Sequence, residues 1–375
     1  MPRFFALTSR GLGEVLEQEL KEMGIANAAR GFGGVTFEGP WALCYRANLR
    51  SRIATRILLP ILDFPAYKPE ELYANVLKHD FTKYIPPDGT IAVDASVRDC
   101  GAFRDQRFVA LKIKDAIVDQ FRDKYDVRPD VDTDDPDLRI VVRAVKNQFS
   151  LSIDTSGDSL FKRGYRRGHT EAHVKEHLAA GILKLTGWDG TSSVVDPMCG
   201  SGTFLIEAAL MALKIAPGML RQRFAFQRLN GFKKAEWEKE VAAAADEELQ
   251  EIPFKMYGFD TDRKALAVAQ ANAEEAGVAE FVEFQRAPMQ TLKAPAESGI
   301  MVVDPPFGER VGTKDELVDT YKDLAHVMKT SFKGWECFVL SGAPELSAAM
   351  KLKAERKFPL FHGPIECRLL KYKMF

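Results

Sequence analysis

Apolar and polar positions follow two periods along this chain, and their distribution divides it into three stretches. The first is short. Residues 3–6 read as a strand, Ser9 with Gly11 and Gly13 opens a helix over 14–23, and Val15, Leu16, Leu20 and Met23 fall at helical spacing. Residues 34–37 predict a second strand and 40–48 a short helix, which makes a compact α+β piece. A second α+β stretch runs from about 59 to 154. Its helices are predicted at 72–77 and 108–125, the longer one carrying Val109, Ile113, Ile117 and Phe121 on one stripe. Residues 90–96, 138–145 and 148–154 alternate as strands do.

From Ser192 onward the pattern becomes one of repeated strand–helix units. Strands at 193–196, 255–260, 281–285, 300–304 and 335–340 are interleaved with helices at 202–213, 262–276, 315–332 and 345–350. This is the signature of an α/β fold with a mostly parallel sheet and right-handed crossovers. The closing pair, 357–361 and 365–372, reads as a hairpin and implies one antiparallel edge strand. Residues 215–251, rich in Arg, Lys, Glu and Ala, form an insertion after the first helix of this stretch.

Composition narrows the function classes without choosing one. At 375 residues the chain can hold two or three domains. It is 46% hydrophobic and 28% charged with a formal net charge of -1, so a nucleic-acid partner would need a local basic patch. Five cysteines lie far apart with no C-x-x-C pair, which argues against a zinc ribbon or disulfide framework and fits a reducing cytosol. No window approaches the apolar length of a membrane span, and a soluble, cytoplasmic protein is expected.

Two patches carry local positive charge. Arg98, Arg104 and Arg107 flank Phe103 in one loop, a mixture that can hold phosphates and stack on a base. The acidic run 130–137 offsets it, so a merely solvated surface stays open. Residues 159–168 are the most basic segment, with Lys162, Arg163, Arg166 and Arg167 around Phe161 and Tyr165, and they join the two halves. A helix over 171–186 follows. His169, His173 and His177 step by four residues there, but no clear third member of a metal set accompanies them. No metal is expected, and these histidines read as surface or RNA-facing.

Two turns carry chemistry. Asp304-Pro305-Pro306-Phe307 closes the apolar run 300–303, and neither proline can continue a sheet ladder. It presents a carboxylate, a proline carbonyl and a ring where ligands collect in open α/β sheets. Taken alone, it is also a common loop opener. The turn Asp196 to Thr203, with Gly200 and Gly202, joins the first strand of the sheet to its helix. No lysine follows, as a P-loop would need, and Leu205 stands where a dinucleotide fold wants a third glycine. A nucleoside-type ligand without pyrophosphate remains, such as S-adenosylmethionine. Asp260 ends the second strand, where a carboxylate can accept both ribose hydroxyls, and Asp262 reads as a helix N-cap.

In this order, Asp196 to Thr203, Asp260 and Asp304 to Phe307 resemble a class I S-adenosylmethionine-dependent methyltransferase acting on exocyclic amines. With residues 162–166, 174–180, 196–209 and 306–310 the chain is similar, over nearly its whole length, to the THUMP-domain RNA guanine-N2 methyltransferases that modify large-subunit rRNA and tRNA. The resemblance implies a ferredoxin-like adaptor at 1–58, a THUMP RNA-binding domain at 59–156, a linker and helix at 157–190, and a Rossmann-like catalytic domain with a seven-stranded sheet at 191–375. It implies cofactor contacts from Asp196, Met198, Cys199, Gly200, Ser201, Gly202, Thr203, Glu207, Asp260 and Tyr165, and RNA contacts from Arg98, Arg104, Arg107, Arg163, Arg166, Arg167 and Arg310. Asp304, Pro305, Pro306 and Phe307 would be catalytic. The family's usual adenine-binding aspartate is absent, since residues 286–290 read Arg-Ala-Pro-Met-Gln, which leaves the backbone or Gln290 for that contact. Two other functions stay in view, adenine-N6 methylation of RNA or DNA and a non-catalytic RNA-binding chaperone.

Overall fold

The computed structural model describes residues 1–167, 174–307 and 314–375. The N-terminal half begins with β1 (Arg3–Leu7), α1 (Gly13–Glu22), β2 (Ala29–Gly31), β3 (Gly34–Glu38) and α2 (Trp41–Arg50). It continues through β4 (Arg56–Pro65), α3 (Pro69–Leu77), β5 (Thr90–Arg98), α4 (Gln106–Tyr125), β6 (Asp130–Val131), β7 (Leu138–Val145) and β8 (Gln148–Asp154). The stripe expected on α4 is its buried face, with Val109, Ile113, Ile117 and Phe121 all sealed from solvent. Asp105 caps that helix, its carboxylate accepting from the Arg107 N–H at 2.8 Å. Ser9 does not cap α1 with its side chain. Its hydroxyl meets the His177 Nε2 at 2.7 Å, which docks the first piece on a later helix.

Both α+β stretches share a single eight-stranded sheet, ordered β2-β3-β1-β4-β8-β7-β5-β6. The join is β4, antiparallel to β1 on one side and to β8 on the other. Its ladder with β8 shifts register between Pro60 and Leu62, where a proline has no N–H to donate. Pattern alone does not predict β4, because two prolines interrupt it.

The C-terminal half comprises α5 (Glu176–Thr186), β9 (Ser193–Asp196), α6 (Thr203–Ala212), α7 (Lys234–Ala245), β10 (Met256–Asp260), α8 (Arg263–Glu275) and β11 (Val282–Arg286). Then come β12 (Gly299–Val303), α9 (Lys314–Ser331), β13 (Glu336–Ser341), α10 (Pro344–Ala349), β14 (Arg356–His362) and β15 (Ile365–Lys373). Seven strands form one sheet in the order β11-β10-β9-β12-β13-β15-β14. The first five are parallel, and β15 runs antiparallel to β13 and β14. The antiparallel member therefore lies one place inside the edge, with β14 outermost. From β9 the chain lays β10 and β11 to one side and then β12 to the other, and this reversal opens a crevice at the strands' carboxyl ends.

The insertion clamps the two halves together. Arg46 on α2 holds Glu240 on α7 through two bonds of 2.8 Å, and Asp135 of the acidic run pairs with Arg223 and Arg228. Part of that run is thus paired with the insertion. All five cysteines are free and buried, and no described helix is long and apolar enough to cross a membrane.

Candidate active site

Three adjacent strands end in carboxylates at the crevice. Asp196 closes β9, Asp260 closes β10, and Asp304 follows β12. After Asp196 the chain turns through Gly200 at φ +51° and Gly202 at φ +78° before entering α6. The second value is costly for any residue with a Cβ. At Gly202 a Cβ would also sit 2.8 Å from the Phe284 ring, so glycine is required by packing as well. Nothing lies within 4 Å of the corresponding position on Gly200, which leaves that side of the turn open.

The turn is tied to the neighbouring strand. Gly200 N–H donates to Asp260 Oδ2 at 3.0 Å, and Cys199 N–H to the Phe259 carbonyl at 2.8 Å. Met198 N–H donates to Asp196 Oδ1 at 3.0 Å. Asp262 caps α8 through the Lys264 N–H at 2.8 Å. Burial pushes the Asp196 carboxyl well up from the ordinary range, and the charges of Asp304 and Asp260 push it further. A crevice ringed by mutually repelling carboxylates suits a cationic ligand. Among the described residues no cluster of His, Cys, Asp and Glu is disposed to hold a metal.

Asp304 is the exceptional group. Its Oδ1 is buried with no hydrogen-bond partner among the described residues, and burial pushes its carboxyl up to about 7. Pro305 and Pro306 follow, and Phe307 lays its ring against Gly342, where a Cβ would come within 2.7 Å of it. Gly342 had no place in the sequence reasoning; the only signal was a glycine at the end of an apolar strand.

Other expected site residues turn away from the crevice. Glu207 is fully buried in α6 and accepts from Tyr165 Oη at 3.2 Å and from Arg163 Nε and Nη2 at 3.3 and 3.4 Å. Arg163 is 1% exposed and donates also to the Leu160 and Arg52 carbonyls, so it faces the fold, against the expectation that it meets RNA. Glu207 and Tyr165 likewise have their polar side-chain atoms engaged inside this knot. Arg166 reaches Glu176 at 2.9 Å, Ser201 Oγ at 3.3 Å and Thr203 Oγ1 at 3.2 Å, bracing the turn. Buried Asn272, unmarked by any motif, donates to the Ser201 carbonyl at 3.1 Å and accepts the Arg167 N–H at 2.8 Å.

Arg167 is exposed and paired with Glu275 at 2.5 Å. Gln290 is exposed and donates to Asp323 at 2.7 Å. Arg98 at the end of β5, Arg104 in the following loop and Arg107 in the first turn of α4 are all exposed. His177 is 3% exposed rather than a surface group, and burial with nearby positive charges lowers its pKa to about 3. Arg310, His169 and His173 lie outside the described residues.

With this geometry in place, comparison with known proteins is informative. Residues 163–371 match the family described as the RMKL-like methyltransferase domain, 66–154 the THUMP domain, and 3–58 the RlmL ferredoxin-like domain. Over 99% of its length the chain is 38% identical to the ribosomal RNA large subunit methyltransferase K/L of Syntrophotalea carbinolica, and it spans about half, 53%, of that protein. It is 36% identical to slr0064 of Synechocystis sp., assigned by name as an RNA methyltransferase, with 99% of this chain and 97% of that one covered. The crystal structure of SMU.472, assigned as a methyltransferase and complexed with SAH, matches at a TM-score of 0.91 and 29% identity, covering 100% of this chain and 98% of that one.

Proposed function

The chain belongs to the RMKL-like methyltransferase family, and from that premise we propose that it transfers a methyl group from S-adenosylmethionine to the exocyclic N2 of a guanosine in rRNA or tRNA. The observation that carries this reading is the buried Asp304 Oδ1, an acceptor with no donor among the described residues. Such an atom is costly to keep in a folded chain unless a ligand supplies the missing donor. RNA as the substrate is supported by the THUMP match and by the names of the relatives. Guanine is supported by the sequence resemblance.

The residues at hand fit the cofactor. The crevice holds three carboxylates suited to a ligand bearing a sulfonium and an ammonium, and the open flank of Gly200 leaves room beside the turn. The Asp196 to Thr203 turn would hold its amino-acid end and Asp260 its ribose. When bound, the cofactor supplies a methyl group on a sulfonium, a good leaving group.

The lone pair of guanine N2 is delocalised into the ring, so the amine is a weak nucleophile. Asp304 and the Pro305 carbonyl accept its two N–H groups, hold it in line and favour a pyramidal nitrogen. Phe307 stacks on the base, which must leave its helix to be reached. Once N2 carries the methyl group its surplus proton passes to Asp304 Oδ1. An acid near 7 can take that proton and return it to water.

Mass spectrometry of nucleosides from large-subunit rRNA and tRNA, with and without the gene, tests the reading. N2-methylguanosine is expected to fall in one fraction. Unchanged N2-methylguanosine in every fraction would sink it, and a fall in N6-methyladenosine instead would move the target to adenine.

A further inference from the structure

Beside the Asp304–Phe307 turn lies a second concavity that the transfer reaction does not use. It has a volume of about 440 Å³ and runs between α10, the segment after it, and the β14–β15 hairpin. This falls in the range of about 300–1,000 Å³ typical of small-ligand sites. Its floor is apolar, with Leu352, Leu370 and Ala354. Gly342 belongs both to its wall and to the contact with Phe307, so the cavity starts where the ring of the catalytic turn ends.

The polar groups of this cavity fall into two sets. Those inside are already engaged: Ser347 Oγ donates to Ser341 Oγ at 2.8 Å, and Tyr372 Oη donates to Met350 Sδ at 3.9 Å. Lys357, Glu366 and Arg368 are exposed and make no ion pair or side-chain hydrogen bond among the described residues. The ladder puts all three on one face. Glu366 and Arg368 alternate with Cys367, which is 1% exposed and turns to the other side, and Lys357 sits opposite Leu370 in the same parity. Two free cations and one free carboxylate thus rim an apolar floor next to the reacting position.

We propose that this cavity seats the RNA nucleotide adjacent to the one that is methylated. Arg368 and Lys357 take its phosphate, the apolar floor takes the base, and Glu366 accepts from an amine on the base edge. A neighbour of adenine, guanine or cytosine, which bear such an amine, is thereby favoured over uracil. This rests on the RNA methyltransferase reading and assigns to it a determinant of sequence context. An extruded base drags its flanking phosphate with it, so a phosphate site beside Phe307 would also hold the strand open.

The experiment uses the full chain, tritiated S-adenosylmethionine, and rRNA and tRNA from cells lacking the gene. The variant carrying Lys357→Ala and Arg368→Ala is expected to raise KM for RNA at least tenfold, with S-adenosylmethionine affinity and melting temperature as in the wild type. Arg368→Lys, which keeps the charge, recovers part of that loss. Glu366→Gln levels the preference among transcripts differing only at the nucleotide flanking the methylated one. Wild-type KM in the double variant, or an unaltered context preference in Glu366→Gln, overturns the proposal while leaving the methyltransferase reading standing. Absence of methylation of any RNA by the wild-type chain overturns both.

Discussion

Glu207 and Asp304 are carboxylates withdrawn from water within one α/β domain, and the fold treats them in opposite ways. Glu207 sits in α6 with both oxygens engaged by Arg163 and Tyr165. Asp304 sits at the crevice with Oδ1 unpartnered among the described residues. The first arrangement binds the linker, α6 and, through Arg52, the N-terminal half into one body. The second leaves a capacity unspent that only a ligand can fill. Burial by itself distinguishes neither role; what separates them is whether the protein supplies the partners.

The largest expected effect comes from breaking the filled site. Glu207→Ala leaves the buried Arg163 cation without its counter-charge, and a loss of about 3–5 kcal/mol of stability is expected by denaturant titration. Glu207→Gln keeps an acceptor but not the counter-charge, and should recover only part of that loss. A Glu207→Ala chain of wild-type stability would show that Arg163 has another counter-charge.

The unfilled site should respond by a loss of turnover without a loss of stability. Asp304→Ala is expected to lower kcat by on the order of a hundredfold while calorimetry finds S-adenosylmethionine binding retained. Normal turnover in this variant removes Asp304 from the chemistry.

Gly202 lies between the two regions, opening the helix that carries Glu207. A Cβ there meets both a left-handed backbone and the Phe284 ring, so Gly202→Ala should cost about 1–3 kcal/mol. It should weaken cofactor binding at the same time. Loss of one without the other would separate the knot from the crevice.

The smallest effect is the response to pH. The folded Asp304 carboxyl is pushed up to about 7 from an ordinary value near 3.8, so folding favours its protonated form. Its contribution to stability is fully present below about 3.8 and is lost as pH rises through 7. The acceptor role runs the other way, because an ionised Oδ1 takes the amine proton. In the free enzyme kcat/KM should therefore rise about tenfold from pH 6 to 8. Over the same interval the melting temperature of the wild type should fall relative to Asp304→Asn. Parallel pH trends in the two quantities would break the contrast with Glu207.

Much of this architecture was legible from period and punctuation. The strands at 138–145 and 148–154 and the α4 stripe have the bounds and the buried face that alternation and helical spacing predict. Every strand of the C-terminal sheet lies within a residue or two of its expected place. Three strands were missed: β2 and β6 are only three and two residues long, too short to alternate, and β4 fails the pattern because Pro60 and Pro65 interrupt it, its bulge being the means by which the sheet tolerates a proline. The basic segment at 162–167 misled for a different reason. Its arginines read as free charge, yet Arg163 and Arg166 find carboxylates 44 and 10 residues downstream.

By itself the sequence determined where chain direction, glycine and proline force a turn, and so it located the Asp196–Thr203 and Asp304–Phe307 motifs. These depend on backbone sterics among near neighbours, which a local pattern records. Only the tertiary structure decided which charged groups are satisfied: Glu207 by Arg163 and Tyr165, Asp135 by the insertion, and Asp304 Oδ1 by no group among the described residues. Hydrogen bonding and desolvation are settled by atoms brought together across many residues, and no local run of sequence carries that information.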